Sequence, residues 1–189
     1  GRLVFETPAG WMVAPQQANG MTYVVAGSLT SECHLIAAPR EATAETSPHR
    51  VRMASEQEID PTAWTNITAL LPNLFPQNAE ILSQSVETDS FWPIQHADIR
   101  GITGRTVHGA IQFRPGYELW TFCLTHDGAD DVTAFNQIAN SVGTPNDAQL
   151  QARAERDGRE EDRNMRSAQL YREGNRMNAQ RHHRETRQP

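Results

Sequence analysis

The stretch that most constrains the fold is Arg105–His126, in which apolar and polar residues alternate on both sides of the dipeptide Pro115-Gly116. Alternation with a period of two is typical of β-strands that bury one face. A two-residue connection between two such segments predicts an antiparallel β-hairpin. The chain must therefore fold so that other elements cover the apolar face of this pair of strands.

The position of the turn sets the register of this hairpin. Counting back from the turn places Ile111 opposite Trp120 and His108 opposite Cys123. Because side chains alternate across a strand, Ile111 and Trp120 belong to the core face, whereas Cys123 belongs to the other face. A shift by one residue would leave the two faces mismatched in polarity, so we favour this register.

The remainder of the domain that we predict over residues 1–143 is also rich in β-like segments, separated by proline and glycine. Asp60 supplies an N-cap, Pro61 lies in the first turn, and apolar residues follow at helical spacing, which predicts a helix over 61–71. A second helix is predicted over 129–142. We therefore expect an α+β fold, with helices packed on an antiparallel β-sheet. The predicted strands outside the hairpin are Arg2–Phe5, Trp11–Ala14, Met21–Ser28, Cys33–Ala38, Ala79–Thr88 and Trp92–Ile102.

Charge and apolar content change near Thr144, which places a domain boundary there. Up to residue 150 the chain has 7 Arg against 16 acidic residues, whereas from residue 151 it has 10 Arg against 7 acidic residues. The later part keeps few large apolar residues and cannot form a core of its own. Gly158 and Gly174 each weaken a helix by about 1 kcal/mol, but charge pairs at helical spacing favour one. We predict that residues 144–189 form a charged, Arg-rich helical arm.

The far end of this arm is cationic. Because arginine binds carboxylates and phosphates in a bidentate manner, we expect the arm to associate with a protein partner or with a second copy of the chain. Binding to an anionic surface or to nucleic acid is an alternative. Nucleic acid ranks last, since the chain has a formal net charge of -6. The predicted partner-binding residues are Arg163, Arg166, Arg172, Arg176, Arg181 and Arg184.

The chain has 2 cysteines, Cys33 and Cys123, and each lies in a strand-like segment. A disulfide between them is favoured, because an even number of strand cysteines suits an exported protein. Alternatively, Cys123 beside His108 would be the nucleophile of a thiol-dependent hydrolase. Such a dyad needs a third orienting group and an oxyanion site, and neither a Gly-rich nucleophile loop nor a helix N-terminus lies beside Cys123. Two unpaired buried thiols are the third interpretation. In the favoured interpretation no residue is catalytic.

Other candidate sites are weaker. Pro93 within a strand-like run implies an edge or a bulge, which predicts that Phe91 and Trp92 form an exposed aromatic edge. The histidines lack the short, regular spacings of metal ligands, so we expect no metal ion. The glycine pair Gly101 and Gly104 predicts a turn between strands, because no helix follows to bind phosphate. We expect no cofactor.

The opening sequence LVFETPAGW, residues 3–11, resembles the start of the PsbP/DcrB-like superfamily, and the order of predicted strands and helices over residues 2–143 is similar as well. This resemblance implies an α/β/α sandwich around an antiparallel sheet. It also implies a non-enzymatic accessory or binding protein, of a kind that bacteria often export or anchor to lipid. The superfamily has no catalytic motif that could be transferred to this chain.

The chain begins with Gly1 rather than Met and lacks a basic segment followed by an apolar one. We therefore expect that a signal peptide has been removed, although a trimmed chain would begin in the same way. No run of about 18 apolar residues is present, so no membrane span is expected. Together with the resemblance, these features predict a periplasmic or secreted bacterial protein.

Overall fold

The computed structural model describes residues 3–16 and 20–185, with side chains as far as Met177. Within these residues, seven strands form one antiparallel sheet in the order β1-β2-β3-β7-β6-β5-β4. The strands are β1 Met12–Gln16, β2 Thr22–Gly27, β3 Ser31–Pro39, β4 Ile81–Glu87, β5 Ile94–Arg100, β6 Thr106–Arg114 and β7 Tyr117–Thr125. The helices are α1 Pro48–Ser55, α2 Pro61–Thr68, α3 Val132–Ser141 and α4 Asp147–Glu185, and a short 3-10 helix covers Glu41–Thr43. The prediction of an antiparallel α+β fold is confirmed.

The central hairpin adopts the predicted register. Ile111 pairs with Trp120 and His108 pairs with Cys123, as the position of the turn requires. Gly116 has a φ of 80°, which is the left-handed region that glycine enters without steric cost. The local chemistry of the turn and the alternation of the flanking segments therefore specify the same structure.

Helices cover both faces of the sheet. On one face, Trp64 and Ile67 of α2 pack with Trp120 and Phe122 in a buried apolar cluster. A side chain at position 109 would crowd this cluster, since a Cβ atom there would lie 3.0 Å from the Trp64 ring and 3.1 Å from the Phe122 ring. The close approach of the α2 tryptophan to the sheet is therefore favoured by a glycine on β6.

The other face of the sheet is covered by α3. Phe135 and Ile138 pack against Leu119 of β7 and against the two cysteines, in a second buried cluster. The N-cap of α3 is Asp131, whose carboxylate accepts a hydrogen bond from the backbone nitrogen of Ala134 at 3.1 Å. The sheet is thus sandwiched between α2 and α3.

Two segments differ from the prediction. Helix α1 is not predicted, because its sequence PHRVRMAS has no apolar stripe and only Val51 among its large apolar residues is buried. Its start does carry a signal: the Ser47 side chain accepts a hydrogen bond from the backbone nitrogen of Arg50, and Pro48 follows. The predicted first strand consists of a single bridge between Val4 and Gly143, and Arg2 lies outside the described residues.

The C-terminal arm is one helix, α4, of 39 residues, which corresponds to a length of about 58 Å. Its first part lies against α1, where Ala154 is buried. The remainder extends past the body of the domain, with exposed side chains on its described part. Over the described residues, no helix combines the length and the apolar character that crossing a membrane would require.

Candidate functional site

The start of α4 is fixed to the sheet by an ion pair. Arg114 projects from β6 with a side chain that is only 1% exposed, and its Nη2 lies 2.8 Å from Oδ2 of Asp147. Its Nε donates to both carboxylate oxygens at 3.1 Å, and the Thr144 hydroxyl donates to Asp147 at 2.6 Å. Burial lowers the pKa of Arg114, while the bond and charge of Asp147 raise it. The first residue of the arm is therefore the counterion of a buried charge.

Farther along, α4 approaches α1 closely at Gly158. A Cβ atom at this position would lie 2.9 Å from the ring of His49, so any larger residue would force that ring to move. One turn later, Glu161 lies 3.8 Å from His49 and 3.7 Å from Arg50. A glycine that weakens the helix in isolation thus permits the contact that positions it on the body.

The opposite side of α4 is lined with arginines, which we call the cationic stripe: Arg156, Arg159, Arg163 and Arg166. An α-helix turns by about 100° per residue, so spacings of three, four and three residues place all four on one face. This face points away from the side on which Ala154 and Gly158 contact the body. All four residues are exposed, and none of them forms an ion pair with a described side chain.

The predicted partner-binding residues do not all lie on this face. Arg163 and Arg166 belong to the cationic stripe, whereas the helical rotation places Arg172 and Arg176 on nearly the opposite side of α4. Sequence analysis missed Arg156 and Arg159, although their three- and four-residue spacing is the signal that identifies them. The side chains of two further predicted residues lie outside the described part of the structure: Arg181 and Arg184.

The two cysteines are partners across adjacent strands. Cys33 of β3 pairs with Cys123 of β7, and their sulfur atoms lie 2.00 Å apart, which is the distance of a disulfide bond. Within the described residues no free cysteine is found. Cys123 therefore offers no thiol that could act as a nucleophile with His108. The His108 ring instead lies 2.8 Å from Asp98 and 3.0 Å from Asp130.

The exposed aromatic edge predicted at Phe91 and Trp92 is wrong for the tryptophan. Trp92 is only 6% exposed, because the guanidinium carbon of Arg114 lies 4.4 Å from its ring centroid and covers it. Phe91 is half-buried, and its ring lies edge to face against Trp92 and under the guanidinium of Arg52. Both rings are cation-covered parts of the fold, so they do not form an aromatic docking surface.

A polar network lies at the start of β3, next to Cys33 in the sequence. Glu32 accepts hydrogen bonds from Nε2 of His34 at 2.9 Å and from Nε2 of His126 at 3.3 Å. The hydroxyl of Tyr23 is hydrogen-bonded to Nδ1 of His34. The hydrogen bond from His34 is the main cause that lowers the pKa of Glu32, and it outweighs the opposing effect of burial. Burial raises the pKa of Tyr23.

Glu32 should make the fold sensitive to acid. Its folded-state pKa lies below the ordinary value of 4.5, so its contribution to stability is complete above about pH 4.5 and is lost as the pH falls through the lower folded value. We expect the melting temperature of the native chain to fall more steeply below pH 4.5 than that of Glu32→Gln, in thermal unfolding from pH 7 to pH 3. Glu80→Gln, which removes an exposed carboxylate, is the control. Parallel curves for Glu32→Gln and the native chain would contradict this assignment.

Comparison with known proteins gives matches in structure only. No family model matches the chain, and no curated protein matches its sequence. Among solved structures, the chain is similar to the solution structure of cyanobacterial PsbP (CyanoP) from Synechocystis sp. PCC 6803, with 16% sequence identity and a TM-score of 0.46. The match covers 75% of this chain and 86% of that chain.

Proposed function

We propose that this protein is a non-enzymatic accessory protein that docks on a protein partner through the cationic stripe of α4. The observation on which this proposal depends is a long helix anchored at one end by Asp147, with four arginines on its outward face that form no ion pair with any described side chain. The partner chemistry that fits this row is an acidic protein surface, because each guanidinium binds a carboxylate in a bidentate manner.

The charge distribution supports this proposal. The chain carries a formal net charge of -6, so four arginines without described carboxylate partners form a local field of the opposite sign. Leu170 and Met177, which are 68% and 66% exposed, continue the same face of the helix at a spacing of seven residues. An apolar contact next to a row of arginines is a usual composition for a protein interface.

The disulfide supports an exported protein. Disulfides form and persist in oxidising compartments and are rare in the cytosol. The bond between Cys33 and Cys123 closes a sequence separation of 90 residues at the centre of the sheet. We therefore place the function in the periplasm or outside a bacterial cell, and we expect the partner to be found there.

Binding of the stripe to an anionic lipid surface or to nucleic acid is the alternative. Both ligands present phosphate groups, and arginine binds phosphates as readily as it binds carboxylates. The acidic character of the body disfavours extended polyanions, since 16 acidic residues precede residue 151 and would repel a phosphate backbone lying along the domain. A discrete acidic patch on a protein can contact the stripe without approaching the body.

The test compares two double variants that remove equal charge from the same helix. We expect Arg163→Gln with Arg166→Gln to abolish co-purification of the partner from the cells that make this protein. Arg172→Gln with Arg176→Gln should leave it intact, because these residues lie on the other side of α4. Binding to the native chain should weaken as salt is raised from 50 to about 300 mM, since the contact is between charges.

Three results would decide against this function, and a fourth would require a different variant. Equal binding by both double variants would show that the stripe is not the interface. Comparable affinity for phosphatidylglycerol vesicles or duplex DNA would assign the stripe to the alternative ligands. Light scattering that detects a dimer lost only in the stripe variant would identify a second copy as the partner. Loss of the helical signal in either variant, measured by circular dichroism, would make that variant uninformative, and Arg159→Gln with Arg163→Gln would then replace it.

A further inference from the structure

A cavity of about 530 Å³ opens on the α2 side of the sheet, between α1 and α2. Its floor is formed by Phe113 and Trp120, from the hairpin β6-β7, and Val51 and Ile67 line the helical walls. Small-molecule sites in proteins range from about 300 to 1,000 Å³, are mostly apolar and contain a few polar groups. This cavity has the size and the lining of such a site, and the cationic stripe does not contribute to it.

The cavity exists because small or short side chains line the two helices where they face each other. Ala54 of α1 and Ala63 of α2 lie on opposite walls, so neither helix fills the space above Trp120. Phe113 is the half-buried part of the floor, whereas Trp120 is only 3% exposed. A ligand with an apolar body can bury itself here without displacing any element of the fold.

The residues at the opening of this cavity carry more positive than negative charge. Arg40 and Arg50 line the cavity with side chains that are 52% and 72% exposed. The acidic lining residue is Glu118, which forms an ion pair with Arg40 and accepts a hydrogen bond from the Trp120 indole nitrogen at 3.0 Å. Both oxygens of Glu118 are therefore engaged. Arg50 has its nearest described carboxylate at 3.7 Å, on Glu161, which is not part of the cavity lining.

We propose that this cavity binds an amphipathic carboxylate, with its alkyl or aromatic body above Phe113 and Trp120 and its head group at Arg50 and Arg40. Arginine has five N–H donors, so Arg40 can bind a ligand carboxylate while it keeps Glu118. A second hollow of about 470 Å³ lies on the other side of this ion pair and shares Arg40, Glu118 and Trp120 with the first.

Three probes with the same ten-carbon chain test the chemical class: decanoate, 1-decanol and decyltrimethylammonium, each titrated below its micelle concentration into the full chain and followed by calorimetry. We expect decanoate to bind at least tenfold more tightly than decanol, because the alcohol has no charge to pair with the rim. The cationic probe should give no saturable binding, since two guanidinium groups would face its head group.

Variants of the cavity test the location. Arg50→Gln leaves Glu118 paired and should weaken decanoate binding about tenfold. Ala63→Trp should fill the cavity and abolish binding, and Ala54→Trp fills it from the opposite helix if the first variant does not fold. Arg100→Gln, which removes an exposed arginine paired with Glu80 outside the cavity, is the matched control and should bind as the native chain does.

The proposal is overturned if decanoate does not bind to the folded native chain, or if the three probes bind equally. It is also overturned if decanoate binds unchanged to a folded tryptophan variant, because the ligand would then lie elsewhere. The stripe variant with Arg163→Gln and Arg166→Gln should bind decanoate normally. A failure of partner docking is therefore distinguishable from a failure of this site.

Discussion

Replacing Asp147 by alanine should lower the free energy of unfolding by about 3–5 kcal/mol, which is the usual cost of leaving a buried charge without its partner. The side chain of Arg114 is 1% exposed, and Asp147 is its carboxylate partner. The variant retains the guanidinium in a buried position, where burial already lowers its pKa. The ring of Trp92 and the amide oxygen of Gln112 would stay in contact with it but cannot replace the lost charge.

Urea unfolding at neutral pH measures this effect. Asp162→Ala, on the exposed surface of the same helix, is the control and should change stability by less than about 0.5 kcal/mol. The double variant Arg114→Met with Asp147→Ala should be more stable than Asp147→Ala alone, because it removes the unpaired charge as well. Equal stability of Asp147→Ala and Asp162→Ala would show that the pair does not stabilise the fold.

The same pair determines where the arm can be removed. A chain that ends at Thr144, the predicted domain boundary, loses Asp147 together with the arm and should show the destabilisation of Asp147→Ala. A chain that ends at Ala168 keeps Asp147 and the contact between Gly158 and His49. This second truncation also keeps the whole cationic stripe, so it should be as stable as the native chain and removes only the helix beyond residue 168, with the exposed Leu170 and Met177.

Replacing both cysteines by alanine should cost about 4.5 kcal/mol of stability. The bond between Cys33 and Cys123 closes a loop with a sequence separation of 90 residues, and the chain-entropy model gives about this value for a loop of that length. Both positions are buried in the apolar cluster under α3, so alanine avoids placing a hydroxyl group there. Reduction of the native protein should produce a similar loss of stability.

Thiol titration accompanies this measurement. The native protein, unfolded without reductant, should show no free thiol, and each single variant should show one. Two free thiols in protein made in an oxidising compartment would contradict the cross-link and weaken the case for export. If the double variant is as stable as the native chain, the bond does not stabilise the fold by restricting the conformational freedom of the unfolded chain, as the entropy model requires.

Features of this fold that depend on local chemistry could be predicted from the sequence. The hairpin register follows from one turn and the alternation around it, and the register placed Cys123 beside His108. The cysteine pair followed from the strand context of both residues. The N-cap and proline at the start of α2 located that helix to within a few residues.

Features that depend on distant contacts could not be predicted. Trp92 is buried because Arg114 lies over its ring, and that position of Arg114 depends in turn on Asp147, which is separated from it by 33 residues. Likewise, the outward direction of Arg159 and Arg163 depends on which side of α4 contacts α1, and α1 has no apolar periodicity to reveal it. The cavity between α1 and α2 was inaccessible to sequence analysis for the same reason.

The cross-link between β3 and β7 also has a mechanical consequence. These strands are the third and fourth of seven. The bond therefore covalently joins the half of the sheet that contains β1 to β3 to the half that contains β4 to β7. Helix α4 extends about 30 Å beyond residue 165, so a force on its far end would act as a lever on the ion pair between Asp147 and Arg114. Arg114 lies on β6, next to β7, so the load passes to a strand that is covalently tied to the other half. A force applied to α4 would therefore reach the sheet beside the strand that the disulfide joins to β3.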